Sequence, residues 1–394
     1  MVSIADACEL VTDGTHYTPK DVGQGVPFLT VKDVTDARLD FTNCSFISEA
    51  DFLAAKAGNS APMNGDVLFS KDGTVGKVHV ITTDQSFAVL SSLAILRPKR
   101  GYVDSGYLGH VLRSPSVLDD ALKKKTGSAI RRIVLGDLKR VRLPLPPLPE
   151  QRRIAAILDQ AETLRTQRRA ALAQLDSLTQ SLFLDMFGDG GTQRLTIGEL
   201  REKGVLSLHK DGNHGSQYPR SEEFGLEGVP FLSARCVSDD GEIQNDQIDR
   251  LKEEKALSLR IGWIESGDVL LAHNASVGKV ALYDGRFSKA LIGTSLTAFR
   301  SNTAALTPRF LAAALRSNDF QTQLEKNMGQ TTRNQVPITA QRELHIPLPP
   351  LPLQQTFATR VQAIEALKTQ HRAALAETDA LFASLQQRAF AGNL

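Results

Sequence analysis

The stretch LPLPPLPEQRRIAAIL occupies residues 143–158, and IPLPPLPLQQTFATRV repeats its pattern at residues 346–361, 203 positions further on (346 − 143). The prolines occupy matching places, at 144, 146, 147 and 149 and at 347, 349, 350 and 352. Proline fixes φ and lacks an N–H, so it is tolerated in the first turn of a helix and disfavoured beyond it. Each stretch therefore predicts a stiff lead that sets the angle at which a domain meets a long helix. A PxxP ligand for an SH3-type groove is disfavoured, because both leads end directly at a helix start.

The rest of the chain is duplicated at nearly the same period. A looser pair, DGTHYTP from Asp13 and DGNHGSQYP from Asp211, contains a length change. Solenoid repeats are about 20–50 residues long, so the longer period predicts two copies of a domain followed by a helix. The clearest matches lie 202 or 203 positions apart: GVPFLTVKDV from Gly25 and GVPFLSARCV from Gly228, GDVLFSKDGTVGKV from Gly65 and GDVLLAHNASVGKV from Gly267, and SLAILRP from Ser92 and SLTAFRS from Ser295.

The first part of each copy mixes short strands and short helices. In the first copy, GDVLFS and GKVHVI predict two strands that meet at the turn KDGT, because Asp-Gly favours positive φ. The segment SEADFLAAKA from Ser48 has an N-cap serine and helical spacing. These patterns predict an α+β fold for both domains, which we place at residues 1–142 and 189–345.

The leads and the segments that follow them occupy residues 143–188 and 346–394. Apolar positions recur three and four apart over residues 150–187 and 354–390, and the first of these helices would be about 57 Å long. Such a pattern predicts a coiled coil within one chain, in which an approximate two-fold axis pairs the helices antiparallel. The predicted seam residues are Ile154, Leu158, Ala161, Leu164, Leu172, Leu175, Leu178 and Leu182, interrupted by Arg168, and Phe357, Val361, Ile364, Leu367, His371, Ala374 or Leu375, Thr378, Leu381 or Phe382, and Leu385.

Composition and charge restrict the class of protein. The chain has 394 residues, of which 41% are hydrophobic and 23% charged, as in soluble globular proteins of two or more domains. It has no run of about 18 apolar residues and no visible secretory signal, so no membrane association is expected. Cys8, Cys44 and Cys236 are expected to be buried thiols in the reducing cytoplasm. The net charge of +2 gives no bulk argument for nucleic acid, but residues 121–142 hold eight Lys or Arg against the single acid Asp137.

Sequence signatures of catalysis and metal binding are missing. A P-loop requires Ser or Thr after Gly-Lys, and Val78 and Val280 occupy that position. The eight histidines lack metal-ligand spacing, and the segment Glu253-Glu254-Lys255 fits a charged helix face better than a nuclease site. We therefore expect a protein that binds and positions, with no catalytic residue, metal or cofactor of its own.

These features together resemble the specificity subunits of type I restriction–modification systems (HsdS). The resemblance spans essentially the whole chain in duplicate and is carried by LPLPPLPEQRRIAAILD, LTQSLFLDMFGD, GDVLFSKDGTVGKV and GSAIRRIVLGDLKRVRLPLPP. The second copy departs from the pattern, with Leu353-Gln354 in place of Glu150-Gln151 and with HNA in place of DGT before its Gly-Lys. These departures leave the predicted architecture intact.

The resemblance implies a function and a set of partners. Each domain would be a target-recognition domain that reads one half of a bipartite site in double-stranded DNA, and the helices would set the half-site spacing. Two methylation subunits using S-adenosylmethionine would dock on the helices, and restriction subunits would use ATP and Mg. This chain would hold none of these cofactors and would be a non-catalytic subunit. A coiled-coil scaffold that binds partner proteins is the alternative.

The resemblance also directs attention to candidate DNA-binding residues. Arg suits guanine and Asn or Gln suits adenine, whereas Lys suits phosphates. The alternatives are a solvated helix face for the basic run and solvent-facing turns for the hairpins. The candidates are Lys123, Lys124, Lys125, Arg131 and Arg132 in the basic run, Arg333 and Asn334 in its counterpart, Lys71, Lys77, His273 and Lys279 in the hairpins, and His16, Tyr17 and His214.

Overall fold

The computed structural model describes residues 1–35, 38–123, 132–188, 191–215, 218–328 and 334–394. The chain divides into two compact units, Met1–Arg168 with Ala374–Leu394, and Arg169–Ala373. Each unit holds one α+β domain and part of each long helix, so the division falls inside the helices and not at the proline leads. The predicted fold class, two tandem α+β domains with two long helices, is confirmed.

The first domain contains nine strands and five short helices in its described residues, and the first long helix follows it. The strands are β1 (Val2–Ser3), β2 (Cys8–Asp13), β3 (Val26–Leu29), β4 (Ser45–Ile47), β5 (Val67–Ser70), β6 (Val78–Val80), β7 (Ala88–Val89), β8 (Leu93–Pro98) and β9 (Arg142–Leu143). The helices are α1 (Ile4–Ala7), α2 (Glu49–Ala57), α3 (Ser105–Arg113), α4 (Pro115–Lys123), α5 (Leu135–Arg140) and the long α6 (Leu148–Phe187).

The second domain repeats this order and adds strands. Its strands are β10 (Arg194–Thr196), β11 (Leu206–Asp211), β12 (Phe224–Gly225), β13 (Val229–Leu232), β14 (Asp249–Leu251), β15 (Trp263–Ile264), β16 (Val269–Ala272), β17 (Val280–Leu282), β18 (Ala290–Ile292), β19 (Leu296–Ser301) and β20 (His345–Pro347). Its helices are α7 (Ile197–Glu202), α8 (Glu253–Ser258), α9 (Pro308–Arg316), α10 (Asn318–Lys326), α11 (Ile338–Gln341) and the long α12 (Leu351–Phe390), with 3₁₀ turns at Ser221–Glu223, Ala234–Cys236 and Asn245–Gln247.

The two domains share one sheet topology. An antiparallel four-stranded sheet has the order β2-β8-β5-β6 in the first domain and β11-β19-β16-β17 in the second. A second sheet, β4-β3-β7, corresponds to the central strands of β12-β14-β13-β18-β15, in which the second domain adds an edge strand on each side. The first and last strands of each domain also pair, as β1 with β9 and β10 with β20. Each domain thus closes its own chain before the long helix begins.

The Gly-Asp-Val segment shared by both copies places a buried acid at the start of a central strand. Asp66 is 1% exposed and Asp268 is 0% exposed. Arg97 donates from Nε and Nη2 to Asp66 at 2.9 and 2.8 Å, and Arg300 donates in the same way to Asp268 at 2.7 and 2.8 Å. A buried carboxylate requires such a partner, which explains why the acid and the arginine both recur.

The predicted hairpin is present in both domains. Strand β5 pairs antiparallel with β6, and β16 pairs with β17. The connections, residues 71–77 and 273–279, are longer than the predicted four-residue turn. Gly73 has a φ of +69°, and Ala275 has a φ of +65° in the second connection. A non-glycine residue is strained in this left-handed region, so the second domain keeps a similar backbone path at an energetic cost.

The two long helices have 40 residues each. Proline is their second residue, at 149 and 352, as the sequence predicts. The first helix ends at Phe187, immediately before Gly188. Within the described residues, no helix is long and apolar enough to cross a membrane.

The helical segments of each unit run antiparallel. In the first unit, Arg153 donates to the carbonyl oxygen of Leu394 at 2.6 Å, and Arg165 forms an ion pair with Asp379. Rising residue numbers in α6 therefore match falling numbers in α12. The second unit shows the same order, with the Lys368 Nζ 2.7 Å from Asp176 and Phe183 against Phe357.

The buried positions of the seam follow a seven-residue repeat. Part of the predicted list of seam residues is therefore wrong. Leu164, Leu178 and Leu367 were predicted to be seam residues, but they are 42%, 50% and 46% exposed. A step of seven residues from the buried positions 158 and 361 leads to Arg165 and Lys368. Each lies one residue beyond a predicted leucine, Leu164 or Leu367. Lys368 is only 5% exposed. The seam residues buried as predicted are Ile154, Leu158, Ala161, Phe357, Val361 and Ile364.

A buried glutamine fixes each proline lead to its helix. Gln151, 1% exposed, donates from Nε2 to the carbonyl oxygens of Tyr102 at 3.0 Å and Pro146 at 2.8 Å, and its Oε1 accepts from the Asp104 N–H at 2.9 Å. The neighbouring Glu150 makes an exposed ion pair with Arg153. Replacement of that glutamate by leucine in the second copy therefore leaves the junction unchanged.

Gln354 repeats the junction in the second unit. It is fully buried, donates to the carbonyl oxygens of Ala305 at 3.0 Å and Pro349 at 2.8 Å, and accepts from the Thr307 N–H at 2.9 Å. The lead, the helix and the loop before α9 are thus held by one side chain. This interaction gives a physical reason for the angle-setting role predicted for the proline leads.

Candidate nucleic-acid interface

Three segments of the first domain meet at the end of the four-stranded sheet. These are the end of β2, the β5–β6 connection and the part of the basic run at Arg132 and Ile133. Asp72 and Arg132 form an isolated β-bridge, and the Ile133 N–H donates to the Lys71 carbonyl oxygen at 2.8 Å. The structure therefore brings the β5–β6 hairpin candidates next to Arg132 of the basic run.

The three segments form one surface, called here the three-segment surface, and Lys71 lies beneath it. It is 7% exposed, and its Nζ lies 3.5 Å from Asp13 Oδ2 and 3.4 Å from Asp72 Oδ2. Burial raises the pKa of Asp13, and the Lys71 charge opposes that rise. The buried lysine thus joins the end of β2 to the hairpin connection. This geometry gives Lys71 a positioning role and does not leave it as a solvent-facing turn residue.

His16 and Tyr17 lie on the exposed side of the same region. The His16 side chain is 79% exposed, with Nε2 3.8 Å from Asp13 Oδ2. Tyr17 is 53% exposed, and its carbonyl oxygen accepts a hydrogen bond from the Thr15 hydroxyl at 2.8 Å. Both side chains are therefore accessible to a large ligand.

Lys77 holds a neighbouring loop. Its Nζ donates to the carbonyl oxygens of Val31 at 3.0 Å and Val34 at 2.9 Å. Two of its three donors are thereby used within the domain. The geometry supports a structural role for this lysine beside any contact with DNA.

Three of the five candidates in the basic run, Lys124, Lys125 and Arg131, lie outside the described residues, and Lys123 is described only as the last residue of α4. Arg132 is described and exposed. The prediction that this run contacts DNA stays a prediction, with Arg132 as the candidate whose exposure is described.

The second domain assembles the same three segments with different side chains. Asn274 and Gln335 form the isolated β-bridge that corresponds to Asp72 and Arg132. The Val336 N–H donates to the His273 carbonyl oxygen at 2.9 Å. Asn334 is exposed, and Arg333 lies outside the described residues.

A neutral hydrogen-bond network replaces the buried ion pairs in this domain. His273 is 2% exposed, and its Nδ1 lies 2.9 Å from the Thr297 hydroxyl. The Gln341 amide donates to that hydroxyl at 3.1 Å and to the Val336 carbonyl oxygen at 3.0 Å, and its Oε1 lies 3.1 Å from His209 Nε2. Burial lowers the pKa of His273, and it lowers the pKa of His209 to about 4. Both rings are therefore neutral at pH 7.

This network was not predicted from the sequence, and it changes the interpretation of His273 as a candidate DNA-binding residue. The ring is buried, which favours a structural role for His273 over direct contact with a ligand at the surface. His209 and Gln341 were not predicted to meet, because they lie 132 positions apart and no local pattern connects them. Their equivalents in the first domain, Val11 and Leu138, are apolar. A change from apolar to polar at matched positions was the signal that could have identified them.

His214 and Lys279 complete the candidates of the second domain. The His214 side chain is 53% exposed, with Nε2 2.7 Å from Asp211 Oδ2. Lys279 is half-buried and lies 2.9 Å from Asp239. His214 and Lys279 occupy positions equivalent to those of His16 and Lys77 in the first domain. Lys279, however, pairs with an acid, whereas Lys77 donates to carbonyl oxygens.

The arrangement provides hydrogen-bonding groups at the surface of both domains. Across the described part of the chain, no group of three or more His, Cys, Asp or Glu could hold a metal ion. The cysteines are free and buried, as predicted, and burial raises the pKa of the Cys8 thiol to about 12. A buried thiol with a raised pKa is a poor nucleophile. The exposed Arg, Asn, His and Tyr side chains suit contacts with base edges and phosphates.

Comparison with known proteins identifies the family. A family model described as "Type I restriction modification DNA specificity domain" matches residues 1–174 and 262–377. The putative type I restriction enzyme MjaX specificity subunit of Methanocaldococcus jannaschii is 24% identical over 382 residues, covering 92% of this chain and 86% of the relative. The MjaVIII specificity subunit of the same organism is 23% identical, covering 82% of this chain and 73% of the relative.

Solved structures share the fold at low identity. A chain from work on complex assembly and conformational transition of the type I R-M system has a TM-score of 0.54 and 19% identity, covering 100% of this chain and 97% of that chain. The S subunit of the type I restriction–modification system from M. genitalium has a TM-score of 0.54 and 17% identity, covering 99% and 95%. The family model covers well over half of this chain, which therefore belongs to the type I restriction–modification specificity subunits, as the resemblance indicated.

Proposed function

We propose that each domain of this specificity subunit reads one half of a bipartite site in double-stranded DNA. The observation that carries the proposal is the three-segment surface, which has the same backbone plan in both domains and different side chains. In the first domain, Asp72 meets Arg132, and in the second, Asn274 meets Gln335. A protein that recognises two different half-sequences needs a constant scaffold with variable side chains.

Roles can be assigned to the exposed candidates from their chemistry. Arg132 suits a guanine edge and Asn334 an adenine edge. The basic run would contact phosphates and set the register on the duplex. His16, Tyr17 and His214 flank these positions and would add contacts. The buried Lys71 and His273 would act through the backbone segments that they hold.

The long helices would set the distance between half-sites and dock two methylation subunits. S-adenosylmethionine, ATP and Mg would be bound by methylation and restriction subunits, and this chain would supply specificity without catalysis. The heptad repeat supports this proposal, because its outer positions carry exposed charged residues along both helices. Such positions remain available to partners after the seam has formed.

The proposal is tested by binding measurements on the complex assembled with its methylation subunits. Replacing a specific base contact costs about 1–3 kcal/mol. Arg132→Ala should therefore weaken binding through the first half-site, and Asn334→Ala through the second. Competition with duplexes mutated in one half at a time, at constant salt, assigns each loss. If neither substitution changes affinity, or if both act on the same half, the interface is wrong and the scaffold alternative gains support.

A further inference from the structure

The first residue of the β5–β6 connection, Lys71, is fixed by backbone hydrogen bonds on two sides. Its N–H donates to the Ser92 carbonyl oxygen at 2.9 Å, and its carbonyl oxygen accepts from the Ile133 N–H at 2.8 Å. The Lys71 side chain is also buried. The next residue, Asp72, is therefore held at a defined place on the three-segment surface, where its side chain is 28% exposed.

The β16–β17 connection of the second domain begins in the same way. The His273 N–H donates to the Ser295 carbonyl oxygen at 3.1 Å, and its carbonyl oxygen accepts from the Val336 N–H at 2.9 Å. Its side chain is buried, and the next residue, Asn274, is half-buried. The two domains therefore hold positions 72 and 274 alike but place different chemical groups there.

Both side chains keep unused hydrogen-bonding capacity. Asp72 Oδ2 lies 3.4 Å from Lys71 Nζ, whereas the buried Asp72 Oδ1 has no hydrogen-bond partner among the described residues. The Asn274 amide likewise makes no hydrogen bond to a described residue. The terminal torsion of such side chains is soft, so a rotation of Asp72 can bring either oxygen to the exposed side. Each residue can thus serve a ligand at the surface.

The two groups favour different bases in the major groove of DNA. Cytosine presents a single amino donor there, whereas adenine presents an amino donor beside the N7 acceptor. A carboxylate only accepts hydrogen bonds, so it suits cytosine and is repelled by the N7 lone pair of adenine. A side-chain amide both donates and accepts, so it pairs with adenine at two atoms.

The preceding residue matches the charge of each group. Lys71 Nζ lies within 3.5 Å of both Asp13 and Asp72, and this charge, with those of the basic run, lessens the repulsion between Asp72 and DNA phosphates. His273 is neutral at pH 7, because burial lowers its pKa, and it precedes the neutral Asn274. A carboxylate close to DNA is thereby accompanied by a cation, and an amide by an uncharged ring.

We propose that positions 72 and 274 read bases. Asp72 accepts a hydrogen bond from the amino group of a cytosine in the first half-site, and Asn274 pairs with an adenine in the second. This inference rests on the proposed function and names one base in each half-site. Lys71 and His273 hold the backbone, and the residues that follow them make the contacts.

The test uses the complex assembled with its methylation subunits and a set of duplexes in which each base pair of the recognised site is changed in turn. The wild type should prefer cytosine at one position of the first half-site by about fivefold to a hundredfold. In Asp72→Asn, adenine should be favoured at that position, and the other positions should keep their preferences. Asp84→Asn is the matched control, because it makes the same chemical change in an exposed residue at the opposite end of the β5–β6 hairpin.

A substitution in the second domain provides an independent test. Asn274→Ala removes no hydrogen bond among the described residues, so its fold should be unaffected. It should abolish the preference for adenine at one position of the second half-site and leave the first half-site unchanged. This variant decides the outcome if Asp72→Asn does not fold.

The possible results separate this inference from the proposed function. A wild-type complex without sequence preference in either half would overturn both. A complex that reads two halves, but whose preferences survive Asp72→Asn or Asn274→Ala, would overturn this inference alone. An equal loss of affinity for every duplex in the set would also overturn it, because a base contact acts at one position.

Discussion

Gln354 offers the sharpest test of how each domain is joined to its helix. The substitution Gln354→Ala removes one acceptor and two donor interactions, at 2.8–3.0 Å, from a side chain that is fully buried. It leaves the Thr307 N–H and the carbonyl oxygens of Ala305 and Pro349 without this partner. Each net hydrogen bond contributes about 0.5–1.5 kcal/mol, so the expected loss is about 2–4 kcal/mol. Gln355→Ala, at the exposed neighbouring position, is the matched control.

Urea unfolding followed by tryptophan fluorescence measures this loss in the correct unit. Trp263 is the single tryptophan of the chain and lies in the second unit. For an m-value of about 2–3 kcal/mol/M, the midpoint should fall by roughly 1 M in Gln354→Ala and remain within error in Gln355→Ala. Equal midpoints for the two variants would refute the assignment of Gln354 as the residue that holds the junction.

Three further predictions follow from individual sites. Ala275→Gly should raise the free energy of unfolding by about 1 kcal/mol in the same assay, because it relieves a left-handed backbone; no gain would mean that the strain is absent in solution. The folded pKa of His209 is about 4, below its unfolded value of 6.5. Its contribution to the free energy of unfolding is therefore complete above pH 6.5, and about 3 kcal/mol is lost as the pH falls towards 4. In His209→Val with Gln341→Leu, urea unfolding measured over this pH range should lack that loss, and the same loss in the variant would contradict the assignment. Seven residues added after Arg165 and after Lys368 should lengthen the half-site gap by about three base pairs, since seven helical residues span about 10 Å; methylation at the original spacing would show that the helices are not the ruler.

The architecture was predictable because it rests on patterns that occur twice. Proline leads, heptad spacing and the Gly-Asp-Val hairpins each appear at a constant offset, and each has a direct physical reason. The errors in the seam came from single-residue shifts. Leu164 and Leu367 stand one residue before the positions that the seven-residue repeat occupies, and hydrophobicity alone favoured them over Arg165 and Lys368.

The sequence predicted which segments carry the candidate residues, but not which of those side chains are buried. The sequence identified the two hairpins and the loops that meet them. It did not reveal that Lys71 is buried between two acids or that His273 belongs to a buried network, because a charged or polar residue in a turn is usually exposed. Burial of these side chains depends on partners distant in sequence, such as Asp13 and Gln341, which no local pattern connects to them.

In the proposed function, each of the two domains reads one half of the DNA site on its own. The most direct measurement is a genomic methylation map of a host that carries the complete system, before and after residues 1–142 are exchanged for those of a related subunit. One half of the methylated sequence should change while the other half and the gap persist. A map that changes in both halves, or in neither, would contradict the proposed function.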